Sequence, residues 1–103
     1  MFAGSTLADM RGFPKEARQK AAYQLSQLQL GFELSDWKPL NNVGSGVREI
    51  RIHHNGEFRV IYITRLHGVV YVLHALQKNT RKTPKKELDL AKARLKLILE
   101  IQL

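Results

Sequence analysis

Two hydrophobic periods divide the chain into three stretches: helical, then extended, then helical again. Leu7 and Met10 stand at helical spacing behind Ser5 or Thr6, either of which can cap a short helix, and Gly12 ends it. Pro14 suits the first turn of a second helix, along which Ala17, Ala21, Leu25 and Leu28 recur until Gly31 offers a stop. Lys15, Arg18, Gln19 and Gln27 take the opposite face, so this helix lies on a core with one side wet. Residues 31–46 keep no period and hold Pro39, Gly31, Gly44 and Gly46. They read as a connecting loop anchored by Trp37 and Leu40.

The period then changes to two. Ile50 and Ile52 alternate with Glu49, Arg51 and His53, as in a half-buried strand. Asn55-Gly56 follows, a strong hairpin signal, and leads into Phe58-Arg59-Val60-Ile61-Tyr62-Ile63-Thr64, rich in β-branched and aromatic residues. A second turn at His67-Gly68 opens a third strand from Val69 to Leu76. Three strands joined by two tight turns make an antiparallel meander. The later two are apolar on both faces, so part of each face must be covered.

Thr83-Pro84 opens the last stretch as an N-cap and N1 pair. Leu88, Ala91, Leu95 and Ile98 form one apolar stripe of the helix that follows, and Leu90, Leu97 and Ile101 a second. Its final turns are apolar nearly all round. The expectation is a helix end buried against its own sheet, with a dimer or partner surface as the alternative.

At 103 residues this is one domain, 1–103, of α+β class. A three-strand antiparallel meander, extended by a short N-terminal edge strand, carries two N-terminal helices on one face and a C-terminal helix. No cysteine is present, which removes a disulfide scaffold and thiol catalysis, and four scattered histidines make a poor structural zinc site. The longest apolar run, Val69 to Leu73, is far short of the ~20 residues of a membrane helix, and Met1-Phe2-Ala3-Gly4-Ser5 does not read as a leader. A cytoplasmic protein needing neither membrane nor metal nor cofactor is expected.

Charge narrows the partners. Seventeen Lys and Arg against nine acids give a net +8, a balance that favours nucleic acid, a ribosome, an acidic protein or an anionic surface. The bland alternative is a basic surface that only keeps the protein soluble. The segment 78–96 concentrates eight cations, including Lys78, Arg81, Lys82, Lys85 and Lys86, against Glu87 and Asp89. Such a segment binds phosphate without regard to sequence, although each lysine taken singly reads as a solvated one.

Strand parity sorts the remaining candidates. Glu49, Arg51 and His53 share one face; Arg59 shares its face with Ile61 and Ile63; Val70, Val72, His74, Leu76 and Lys78 share another. If Arg51, Arg59, His74 and Lys78 fall on one side, the sheet carries a basic patch with a histidine inside it. The alternative for Arg59 is an ion pair with Glu49 or another carboxylate, since an arginine within a strand must face water or an anion. His53 and His54 point to opposite faces and make a poor chelate, His67 sits in a turn, and His74 suits a structural role as well as a catalytic one.

The runs Gly46-Val47-Arg48-Glu49-Ile50-Arg51-Ile52 and Phe58-Arg59-Val60-Ile61-Tyr62 resemble the central sheet of RelE/ParE-superfamily toxins. Val70-Tyr71-Val72-Leu73-His74-Ala75-Leu76-Gln77-Lys78 followed by Lys82-Thr83-Pro84 is similar to the phage-derived HigB-like branch of type II toxin–antitoxin toxins. Gly4-Ser5, Phe13-Pro14 and Lys38-Pro39-Leu40 extend the resemblance over nearly the whole chain. It implies a toxin that acts as a ribosome-dependent mRNA endoribonuclease, cutting mRNA in the ribosomal A site without metal by attack of the 2′-hydroxyl on the adjacent phosphate. A helix-turn-helix antitoxin would neutralise it.

In that reading Arg59 stabilises the transition state, Arg51 and Lys78 position phosphate, and His74 supplies acid–base chemistry. Arg81, Lys82, Lys85 and Lys86 meet RNA or the ribosome. Where the family usually begins with a strand, only Met1-Phe2-Ala3 stand here, and no Tyr follows Tyr71 and no His follows His74, so catalysis rests on cations plus His74. Two alternatives stay open: a ParE-like gyrase inhibitor that cuts nothing, and a decayed phage-derived remnant that only binds antitoxin.

Overall fold

The computed structural model describes residues 1–65, 68–78 and 82–102. In chain order these form α1 (Thr6–Arg11), α2 (Lys15–Gln29), β1 (Trp37–Pro39), β2 (Val47–His53), β3 (Glu57–Thr64), β4 (Val70–Lys78) and α3 (Lys85–Gln102). The strands make one antiparallel sheet in the order β1-β2-β3-β4. This is the α+β architecture that the resemblance implied. The Asn-Gly hairpin forms where expected, with Asn55 at φ 47° and Gly56 at φ 144°, conformations that these two residues adopt at least strain. His67 and Arg81 lie outside the described residues.

The two faces bury separate cores. Met10 of α1 and Phe13 just after it, with Ala17, Ala21 and Leu25 of α2, pack on Ile50, Ile52, Phe58, Val60 and Tyr62. Ala17 and Ala21 lose all exposure, so small side chains bring α2 close to the sheet. On the other face, Ala91 and Leu95 of α3 pack on Val47, Ile61, Ile63, Leu73 and Leu76. Apart from Leu76, the register partner of Arg59, these apolar contacts lie toward the end of the sheet away from the Asn-Gly hairpin. At the hairpin end of that face the side chains are Arg51, His53, Glu57, Arg59 and Lys78, and this division of the face creates the site.

Several local expectations change. Trp37–Pro39, read as loop, is an edge strand pairing with Arg48 to Ile50; three residues are too short to display a period, and proline is tolerated at a sheet edge. The parity of β4 breaks at a bulge: Ile61 pairs with His74 but Tyr62 pairs with Val72, leaving Leu73 as the extra residue. Val70 and Val72 therefore belong to the α2 core, and Leu73 and Leu76 to the α3 core, instead of sharing one face. Pro14 takes the N-cap position of α2 rather than its first turn. Thr83 does not cap α3, because its hydroxyl donates to Glu49 at 2.7 Å. The outer stripe of α3 is not buried: Leu97 is 59% and Ile101 83% exposed, with Leu90 also open.

The N-terminal residues do pair. Phe2 bridges Val72 in parallel, with Val72 N–H donating to Met1 O at 2.8 Å and Ala3 N–H to Val72 O at 2.9 Å. Arg94 of α3 locks this corner: its Nη1 contacts Thr6 Oγ1 at 3.1 Å and Leu73 O at 2.9 Å, and its Nη2 reaches Ser5 Oγ at 3.0 Å. Ser5 caps nothing with its side chain; its hydroxyl donates to Asp9 instead.

Gly4 has φ 54°, and a Cβ there would stand 2.7 Å from Arg94 Nε, whereas Gly31 at φ 88° has open space around it. Gly4→Ala and Gly31→Ala should both lose about 1–2 kcal/mol to left-handed backbone strain. Gly4→Ala should lose a further ~1–3 kcal/mol by displacing the guanidinium. Urea denaturation of the two variants checks this, and equal losses would remove Arg94 as the constraint at this corner.

Candidate functional site

Register sets the site. Arg51 and Arg59 are direct cross-strand partners, flanked by the pairs Glu49–Ile61 and His53–Glu57, with Lys78 opposite Glu57 on β4. Two guanidiniums facing each other repel unless anions intervene. Arg51 Nε donates to Asp36 Oδ1 at 2.8 Å, and Arg59 Nη1 donates to Phe58 O at 3.0 Å and lies 3.5 Å from Glu57 Oε2. Asp36 Oδ2 meets His53 Nε2 at 2.8 Å, and the other ring nitrogen of His53 pairs with Glu57.

Glu49 stands at the centre, with no solvent exposure. Its Oε2 accepts from Thr83; its Oε1 lies 3.4 Å from Arg59 Nε and 3.8 Å from Lys38 Nζ. Among the described residues neither Glu49 Oε1 nor Arg59 Nε completes a hydrogen bond, so this buried pair is held by charge. Arg59 is 7% and Lys78 5% exposed. Burial pushes the Lys78 amine below its usual pKa; Arg59 and Lys38 push the same way, against Glu49 and Glu57.

The structure thus brings Arg51, Arg59 and Lys78 to one end of one face, together with Lys38. His74 lies on the neighbouring same-face row but at the outer side of the sheet, and its polar contacts go to α3. Its Nδ1 stands 3.1 Å from Arg94 Nη1, and its Nε2 pairs with Glu87. Because Arg94 can only donate, Nδ1 accepts and Nε2 carries the proton toward Glu87. Lys82, Lys85 and Lys86 are exposed around the start of α3. Lys82 and Thr83 line a cleft of about 270 Å³ with Lys38. Lys85 and Lys86 oppose the helix dipole there, and Glu87 offsets them.

Sequence reasoning anticipated the Arg59–Glu49 pair as one of two alternatives and missed Asp36, Glu57, Lys38 and Thr83. Asp36 and Lys38 fell in a stretch read as loop. Thr83 was assigned to the helix cap by local pattern, and nothing local points it across the sheet.

Burial opposes ionisation of Asp36, but the hydrogen bonds and charges of His53 and Arg51 outweigh it and hold the carboxyl below its usual 3.8. Glu57 is likewise held below its usual 4.5, desolvation being overcome by His53 and Arg59. A lowered folded-state pKa adds stability that is present above the unfolded value and lost as pH falls through the folded one. Stability should therefore drop on acidification below about pH 4.5, and Asp36→Asn should flatten that drop. Urea midpoints measured from about pH 3 to 6 read the slope; an unchanged slope in Asp36→Asn would exclude the network as its source.

Residues 8–96 match the family described as phage derived protein Gp49-like (DUF891). No curated protein matches the chain. Among the described residues no helix is long and apolar enough to cross a membrane. The family match runs from within α1 through most of α3 and takes in all four strands and every residue of the Glu49 cluster. On that extent the chain belongs to the Gp49-like phage-derived protein family, within the RelE/HigB-type toxins of toxin–antitoxin systems.

Proposed function

We propose that this protein is the toxin of a type II pair, of the phage-derived HigB-like branch, and that it acts as a ribosome-dependent mRNA endoribonuclease in the cytoplasm, neutralised by a helix-turn-helix antitoxin. The observation that carries this reading is the convergence of Arg51, Arg59, Lys78 and Lys38 on one end of the sheet, with Arg59 and Lys38 on the buried carboxylate of Glu49. In the reaction the 2′-oxygen forms a bond to phosphorus and the bond to the 5′-oxygen breaks, leaving a 2′,3′-cyclic phosphate and a 5′-hydroxyl. One proton leaves the 2′-hydroxyl and one reaches the 5′-oxygen.

Arg59 and Arg51 hold the phosphate oxygens, where a guanidinium makes two parallel hydrogen bonds. The phosphate takes over from Glu57 and Asp36 as their anion. Lys78, with its lowered pKa, is the group suited to carry a proton at the site. His74 is engaged by Glu87 and Arg94 and serves to position α3 against β4. Lys82, Lys85 and Lys86 extend the cationic surface toward RNA and ribosome, with Arg81 in the same segment of sequence.

A second reading is favoured by one observation. Arg59 is almost fully buried and already paired with Glu49 and Glu57, which fits a chain that keeps the fold and antitoxin binding without cleavage.

Primer extension on a reporter mRNA in a reconstituted translation system separates the two. The wild type should cut at A-site codons only when ribosomes are present. Arg59→Lys keeps a charge over Glu49 but loses the fork, and should cut about 10²–10³-fold more slowly, with a cooperative denaturation curve showing that the variant is folded. Intact mRNA from folded wild-type protein would leave the remnant reading, with a supercoiling assay to test gyrase inhibition. His74→Asn should lower the rate less than about tenfold, whereas loss of a general acid or base removes about 10²–10⁴ and would return that role to His74.

A further inference from the structure

Beside the cationic end of the sheet lies a cavity of about 560 Å³ that the nuclease reading leaves unused. β1 ends at Trp37, opposite Ile50, so Arg51 to His53 form the edge of the sheet beyond it. Ile52 belongs to the α2 core there, while Arg51 and His53 belong to the other face. The cavity wraps around this edge: α2 contributes Gln19, Lys20, Tyr23 and Gln24, and β2 contributes Arg51 and His53. Lys20 Nζ donates to His53 O at 3.1 Å, which ties the helix to the open edge of the strand.

The groups left open here describe a ligand. Arg51 commits only its Nε to Asp36, its side chain is 40% exposed, and its two amino groups make no hydrogen bond among the described residues. Tyr23 is 61% exposed on the wet face of α2, and its ring and hydroxyl have no side-chain partner among the described residues. A single exposed aromatic is ordinary on a surface, but this one walls a cavity beside an arginine with open donors. Gln19 and Gln24 also keep their amides unpaired among the described residues, and each offers a donor and an acceptor. Two cations, Lys20 and Arg51, are matched by two carboxylates, Asp36 and Glu16, so the space by itself does not select a phosphate. It selects a neutral planar group that stacks on the phenol ring and hydrogen-bonds along its edge, which a nucleobase does.

We propose that this cavity is a nucleobase subsite: a base stacks on Tyr23, meets Gln19 or Gln24 with its polar edge, and places its own phosphate on the open amino groups of Arg51. The inference rests on the nuclease reading for one thing only, that Arg51 holds phosphate, and it adds the groups that hold the neighbouring base. Because every base has a face to stack, the subsite strengthens the grip on RNA with little preference for sequence.

Amide shifts in ¹⁵N-labelled full-length protein read the site without any cleavage. Adenosine 5′-monophosphate is the probe, ribose 5-phosphate its counterpart without a base, and acetyl-tryptophan-amide the peptide arm. The nucleotide should saturate shifts at Tyr23, Arg51 and His53 and bind at least about tenfold more tightly than ribose 5-phosphate. Tyr23→Ala changes an exposed helix position and should weaken nucleotide binding about fivefold or more, while Tyr23→Trp should keep it within about twofold. No saturable shift up to about 10 mM nucleotide, equal binding of nucleotide and ribose phosphate, unchanged affinity in Tyr23→Ala, or an equal loss in Tyr23→Trp would overturn the proposal. Tighter binding of acetyl-tryptophan-amide at the same amides would overturn it in favour of a peptide site. Nucleotide binding by a protein that leaves mRNA intact would keep the subsite and sink the nuclease reading; cleavage without nucleotide binding would do the reverse.

Discussion

The carboxylate of Glu49 has no access to solvent, so its charge must be met by protein groups, and meeting it organises one end of the molecule. Arg59 is drawn under the surface beside it, Lys38 brings the edge strand β1 to it, and Thr83 ties the approach to α3 to the sheet. Removing one partner from such a cluster is worse than removing all of them, because the remaining charge is left buried and unpaired. Lys78 feels the same cluster, and its depressed pKa follows from burial beside other cations. The chemistry available at this end of the sheet follows from that one buried charge.

A second constraint acts through the placing of α3. Ala91 and Leu95 seat the helix on Val47, Ile61, Ile63, Leu73 and Leu76. At the far end of this face Asp36, Glu49 and Glu57 stand among Arg51, Arg59, Lys38 and Lys78, so the surface is a charge network and not a bare basic patch. An incoming phosphate would meet cations already oriented by carboxylates. Such pre-orientation reduces what must be reorganised on binding, and it also sets a competition that the phosphate must win.

Much of the fold was legible because it rests on local periods. Ala17, Ala21 and Leu25 repeat at helical spacing, Ile50 and Ile52 alternate with polar neighbours, and Asn55-Gly56 takes up the positive φ that its hairpin requires. The same alternation grouped Arg51 with Glu49 and His53, and Arg59 with Ile61 and Ile63; the register of β2 on β3 then put the two groups on one face. It failed on β4, where the extra residue Leu73 swaps the face of everything beyond it, since a bulge leaves no mark on the hydrophobic pattern of a strand that is apolar on both sides. It failed also on Trp37–Pro39, too short to show a period.

The sequence by itself determined the helices, the three long strands, the hairpin between β2 and β3 and the net positive charge. Each of these depends on neighbours within a turn or a strand. Only the tertiary structure decided that Arg51 and Arg59 share a face, that Thr83 serves Glu49 across 34 positions, that Arg94 clasps Thr6 across 88, and that His74 is engaged by α3. The reason is physical. A buried polar group is satisfied by whatever donor or acceptor the packed chain brings within about 3 Å, and that distance is set by how elements far apart in sequence stack, which no local pattern encodes.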